Sequence, residues 1–276
     1  VDLSNLPRFA RAVDRADESI DLAEAALLIA ADAHPGLDLA AYLAELDGLA
    51  DPLRDRVDED MPLEGFVLVL NGHLFGDEGF RGDPDGPYDP RASYLDEVLD
   101  RRLGTSLSLG LVTMEVARRI GLDVAGVGLP GYFVVEARRG TSAMLLDPLR
   151  GGEPLSLEDC EGLVEAYGGS LPFSEEYLEP LTKRQILTRM LRHLKGIYLR
   201  EGDGDRAWPV VEKLVHLNPE SPLDRRDRGL LAHGRNRFAM ARDDLRFYLE
   251  HRPEASDRDA VRASLDAVEA ILAMLG

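Results

Sequence analysis

Cysteine is almost absent from this 276-residue chain. The one present, Cys160, excludes an intramolecular disulfide, and no set of Cys and His residues has zinc-like spacing, so neither a metal nor another cofactor is expected. A reducing compartment fits. Lysine is nearly as scarce, confined to Lys183, Lys195 and Lys213, so arginine supplies most of the positive charge. Acidic residues outnumber basic ones 51 to 32, and the formal net charge of −19 excludes a general attraction to phosphate backbones or anionic lipid. Nucleic acid and membrane are therefore not expected partners. No stretch approaches the roughly 20 apolar residues that span a bilayer, and the opening VDLSNLPRFARAVDR has no apolar core of signal-peptide type. The expected location is the cytoplasm.

What is present is ordinary globular material. Hydrophobic residues make up 45% and charged residues 30%, enough apolar surface to fold, and the length suits two domains. Leu22, Ala25, Ala26, Leu28 and Ile29 form one apolar stripe ended by His34-Pro35-Gly36, a helix with its stop. A second helix is expected from Leu39 to about Ala50. The segment 64–75 permits strand or helix, and helix is favoured. Residues 76–92, dense in Gly, Pro and Asp, form a loop. Two helices follow, closed by Gly104 and Gly121 as left-handed caps. Beyond residue 121 the runs VAGVGLP, YFVVEA and AMLLDP predict strands joined by tight turns. Ser156, with Asp159 three positions on, opens another helix near the capping-box arrangement.

From residue 184 the chain is helical and repeats itself. Pro219 aligns with Pro253, Ala207 with Ala241, Val211 with Leu245 and Leu214 with Tyr248, an offset of 34 residues. That is the tetratricopeptide period, with alanine where two helices approach closely and proline where the repeat ends. The first helix of each unit is less regular, so the repeats are divergent.

Several longer runs carry a resemblance. They are AALLIA at 25–30, the stretch from YDPRASYLDEVLD to VARRIGL at 88–122, GVGLPGYF at 126–133, LLDPLRGG at 145–152, EDC at 158–160, RMLRHLKGIY at 189–198 and RRDRGLL at 225–231. Together they resemble the bacterial SirB family of the transglutaminase-like superfamily, a transglutaminase-like domain followed by tetratricopeptide repeats. The resemblance implies an α+β fold: a papain/transglutaminase-like core with N-terminal helices, then an α-helical repeat region. The implied domains are residues 1–180, with a helical part at 1–75 and the core at 88–155, and residues 181–276.

Active members of the superfamily use Cys, His and Asp: a thiolate at the start of a helix, a histidine that shuttles its proton, and an aspartate that orients the histidine. Carried over residue by residue, the resemblance puts Ser106, Tyr132 and Asp147 at these positions. Serine for cysteine is usual in the SirB branch, whereas Tyr132 stands where that branch retains a histidine. A serine hydroxyl needs a general base, and neutral tyrosine, with a pKa of about 10, does not serve as one. None of the six histidines lies on these strands. The structural alternatives are that Ser106 caps its helix, that the Tyr132 hydroxyl bonds to Asp147, and that Asp147 satisfies backbone donors at a turn.

Elsewhere, Cys160 and His73 are expected as packed side chains. Asp83, Asp85 and Asp89 partly match a calcium loop, but residue 94 is Tyr94 where a ligating glutamate is needed. The cluster Arg225, Arg226 and Arg228 has two readings. The arginines pair with nearby carboxylates, or they project from the repeat groove and recognise an acidic segment of another protein or peptide. The favoured function is a non-catalytic interaction or scaffold protein. The alternatives are an acyl transferase or amide/ester hydrolase with Ser106 as nucleophile, and a small-ligand or peptide site in the former cleft. Oligomeric state is not legible.

Overall fold

The computed structural model describes residues 5–58, 60–86 and 88–275. Two compact units emerge among the described residues, one formed by residues 11–190 and one joining residues 5–10 to residues 191–275. The division falls inside a helix, and residues 5–10 go with the repeats.

In the larger unit, helix α1 (Asn5–Val13) contributes its last turn and is followed by α2 (Leu22–Ala30). Asp21 caps α2 by accepting the Glu24 amide at 2.9 Å. Every α2 residue except Glu24 is buried, as in a helix that is apolar all round and lies inside a core. Helix α3 (Leu39–Arg54) runs one turn beyond the expected end at Ala50, with Pro52 inside its last turn. Helix α4 (Leu63–Asn71) continues into a π-helical turn, Gly72–Asp77. Burial of Leu63, Phe66, Val67, Leu70 and Leu74 has the helical period, which settles the 64–75 ambiguity.

The 76–92 loop, of which Pro87 lies outside the described residues, carries β1 (Arg81–Gly82). It pairs in parallel with β2 (Leu103–Gly104) after helix α5 (Leu95–Arg101). The expected Gly104 cap is corrected here. The left-handed residue ending α5 is Arg102, at φ 57°. Gly104 is needed for another reason: a Cβ there would sit 2.6 Å from the Ser108 hydroxyl. Gly121, at φ 82°, fits the expected left-handed role.

Helix α6 (Ser106–Arg119) is the spine of the unit, buried without interruption from Ser108 to Ala117. It packs on an antiparallel sheet in the order β3 (Asp123–Val127), β4 (Val134–Arg139), β5 (Ser142–Asp147), β6 (Glu153–Leu155). Gly110 sets the contact, because a Cβ would lie 2.6 Å from the Phe133 ring. Helix α7 (Leu157–Tyr167) opens with the Ser156/Asp159 capping box. It buries Cys160, Leu163 and Val164 against Val127, Leu129, Tyr132 and Val134.

In the other unit, the last ten residues of α8 (Lys183–Arg200) lead to α9 (Gly204–Leu217), α10 (Pro222–Gly234), α11 (Phe238–His251) and α12 (Arg258–Leu275). Helices α9 and α11 are displaced by 34 residues at both ends, and Ala207 and Ala241 are fully buried. A close contact that the sequence reading missed occurs at Gly229, where a Cβ would lie 2.9 Å from Leu245. Helix α12 covers α11 with Val261, Leu265 and Val268. The preference for arginine has a structural use here. Arg235 and Arg237 stack on Trp208, Arg206 on Tyr198, Arg225 on Phe247 and Arg226 on Tyr248, planar cations being suited to ring faces.

Charge divides unevenly. Residues 11–190 hold 35 acidic and 16 basic side chains, whereas the repeat unit holds 16 of each, so the larger unit carries the whole net charge of −19. Among the described residues no helix is long and apolar enough to cross a membrane.

Candidate functional site

The strand order brings the ends of β4 and β5 side by side, with Val135 opposite Leu146. Tyr132, in the turn before β4, thereby meets Asp147 at the end of β5. The Tyr132 hydroxyl donates to both Asp147 carboxylate oxygens, at 3.0 and 3.2 Å. Asp147 is fully buried and also accepts the Leu149 amide at 2.9 Å, with Arg150 Nε 3.6 Å away. Burial pushes the Asp147 carboxyl above the usual range, against the bonds from Tyr132, Leu149 and Arg150. Burial first, then the Asp147 charge and hydrogen bond, push the Tyr132 phenol well above its ordinary value. The phenol therefore keeps its proton and serves as a donor.

Two features fix the turn that presents Tyr132. Gly131 has φ 72°, and a Cβ there would fall 2.1 Å from the Tyr167 carbonyl. Arg189, which the sequence reading missed, donates to the carbonyls of Gly128 (3.2 Å), Leu129 (2.6 Å) and Tyr132 (2.8 Å). Burial pulls this guanidinium below its ordinary pKa. The Tyr167 ring lies over Tyr132, with centroids 5.0 Å apart.

Ser106 is the first residue of α6, a helix that packs against β4 and against the Pro148–Arg150 turn after Asp147. It is not the cap. Thr105 holds that place, its hydroxyl accepting the Ser108 amide while Ser108 reaches back to the Thr105 amide. Thr105 and Ser106 are adjacent hydroxyl residues, and the backbone places the cap on the first. No described hydrogen bond joins Ser106 to Tyr132 or Asp147.

The remaining candidates are engaged locally. Cys160 is fully buried, its thiol raised by burial and then by Asp159 and Asp147. His73 is buried with Nε2 2.9 Å from the Leu49 carbonyl. Asp83 binds Arg101 and the Asp85 amide, and Asp89 binds Arg91. Among the described residues no group of three His, Cys, Asp or Glu is arranged to hold a metal ion. Arg225 and Arg228 converge on the buried Asp244, at 2.8 Å and at 2.7 and 2.9 Å. Arg226 holds Asp227 and Asp257. A second network, absent from the sequence reading, ties Arg192 and Lys195 to Asp224 and Lys195 to Asp227.

Residues 40–192, more than half of the chain, match the transglutaminase-like superfamily, and residues 194–266 match the tetratricopeptide repeat. A UPF0162 protein of Xylella fastidiosa strain 9a5c is 36% identical over 253 residues, covering 90% of both chains. This chain belongs to the transglutaminase-like UPF0162 family. Its relatives include a UPF0162 protein of Pseudomonas aeruginosa, 34% identical with 77% of this chain and 78% of that one covered. They also include the UPF0162 protein YchA of Escherichia coli K12, 29% identical with 81% and 84% covered. No solved structure matches. Family membership brings the SirB-like order expected from the sequence, a transglutaminase-like domain followed by repeats, and an α+β fold that ends all-helical.

Proposed function

We propose that this family member is a non-catalytic interaction protein of the cytoplasm, a transglutaminase-like platform joined to repeats that present a surface to another protein or peptide. The observation that carries the reading is the Tyr132 hydroxyl donating to the buried Asp147 carboxylate. A shuttle at this position has to accept a proton from the nucleophile, and a phenol raised above its ordinary pKa and already bound as a donor does not. Asp147 is occupied in the same bond, so it orients no base. The Tyr167 ring over Tyr132 further narrows access. The repeats support the interaction half of the reading, since stacked helix pairs form extended binding surfaces.

Labelling with a fluorophosphonate probe tests it. The purified chain and its Ser106→Ala variant should label equally, at background. Labelling of the wild type that disappears in the variant means a nucleophilic Ser106 and an acyl-transfer or hydrolase activity, and the proposal fails.

A further inference from the structure

A second site lies in the larger unit and shares no residue with the one above. The ends of α3, α6 and β4 meet α4 around a cleft of about 470 Å³, a size within the range of small-molecule pockets. Three arginines, Arg54, Arg119 and Arg139, line it, in a unit whose acidic side chains outnumber basic ones more than two to one. Each is braced by its neighbours. Arg119 Nε donates to Asp47 at 2.7 Å, and its Nη1 bonds both the carbonyl and the carboxylate of Glu115. Arg54 binds Asp51 through Nε and the Arg119 carbonyl through Nη1. Arg139 lies 5.0 Å over the Phe66 ring and donates to the Asp58 carbonyl at 2.8 Å. Nη2 of Arg54 and Nη2 of Arg119 take part in none of these bonds. The rest of the lining is Val57, Ile120, Gly121, Phe66, which is buried under Arg139, and Asp58, whose carboxylate accepts the Asp60 amide at 3.0 Å.

We propose that this cleft binds a small molecule that joins a carboxylate or phosphate group to a flat apolar body. Braced guanidiniums lose little freedom on binding and match the planar fork of an oxyanion. Arg118, on Glu115 at 2.6 Å, joins the three arginines in balancing Asp47, Asp51, Asp58 and Glu115, so a bare ion gains little from the field, and recognition rests on directed N–H donors and contact with Val57 and Ile120. Selection therefore falls on the combination of oxyanion and apolar ring.

The test is calorimetric titration of the full chain with phenyl phosphate, benzoate and inorganic phosphate, repeated on Arg54→Ala, Arg139→Lys and, as a control on a remote exposed arginine, Arg91→Ala. At least one aryl probe should bind saturably at one site per chain, about tenfold or more tighter than inorganic phosphate. Its affinity should fall by about tenfold or more in Arg54→Ala and in Arg139→Lys and stay unchanged in Arg91→Ala. Circular dichroism of each variant verifies folding, and Arg54, half-exposed, lies outside the buried core. The proposal is overturned if neither aryl probe saturates by about 10 mM, if inorganic phosphate binds as well as they do, or if Arg54→Ala leaves affinity unchanged. These outcomes are independent of labelling at Ser106.

Discussion

Replacing Tyr132 by phenylalanine isolates the one bond on which the reading of the site depends, because the ring keeps its place and only the hydroxyl is lost. Asp147 has no exposed surface, so water cannot take over as donor, and the Leu149 amide and the more distant Arg150 remain. A hydrogen bond to a charged group contributes about 1.5–3 kcal/mol, and a deficit of about 2 kcal/mol is expected at neutral pH. With a urea dependence of about 2 kcal/mol per molar, the midpoint should fall by about 1 M. The sign of the pH dependence follows from Asp147. Its carboxyl lies above the usual range because of burial, and the Tyr132 bond opposes that rise, so the variant lifts it further. A folded-state pKa above the unfolded value of about 3.9 gives stability that is fully present below that value and lost as pH rises through the folded one. The deficit of Tyr132→Phe should thus be greatest at neutral pH and shrink as acid protonates Asp147. Urea unfolding of the full chain followed by far-ultraviolet circular dichroism, at neutral pH and near pH 4, measures both. A variant as stable as the wild type at neutral pH, or a deficit that does not change with pH, refutes the argument.

Three further outcomes are expected. Asp244→Asn removes the shared carboxylate of Arg225 and Arg228 and should destabilise the repeat unit by about 2–3 kcal/mol, below the usual figure for a broken buried pair because both arginines reach solvent. The fluorescence of Trp208, the one tryptophan, reports it. Gly131→Ala should cost more than about 3 kcal/mol, since left-handed strain adds to the clash with the Tyr167 carbonyl, whereas Gly140→Ala, at φ 60° with open space around it, should cost about 1 kcal/mol; paired urea curves distinguish them. In a spectrophotometric titration, Tyr42, pushed up to about 12 by burial and Asp100, and Tyr132 should ionise last, and Tyr132→Phe should remove one equivalent from that late phase only.

Periodic features were legible in the sequence. The apolar stripe of α2, the buried run of α6, the short strands and the 34-residue offset depend on side-chain type at fixed spacing, which one chain displays by itself. The Tyr132–Asp147 contact was within reach because the resemblance aligned two adjacent strand ends. What could not be read depends on distant or continuous geometry. Arg102 takes a left-handed backbone that nothing in its side chain announces, and the backbone puts the cap on Thr105 although serine is the better capping residue. Arg189 looked like one more solvated arginine on a helix, because its three carbonyl acceptors come from a turn some sixty residues earlier. The arginines at 225–228 suggested a recognition surface, while Asp244, which fixes two of them, sits a helix away.

The uneven charge has a colloidal consequence. In physiological salt, repulsion between two copies extends about 8 Å from the surface, and it arises from residues 11–190, which carry −19, while the repeats carry no net charge. In a crowded solution the mutual repulsion of copies therefore originates in the larger unit, and added salt should weaken it.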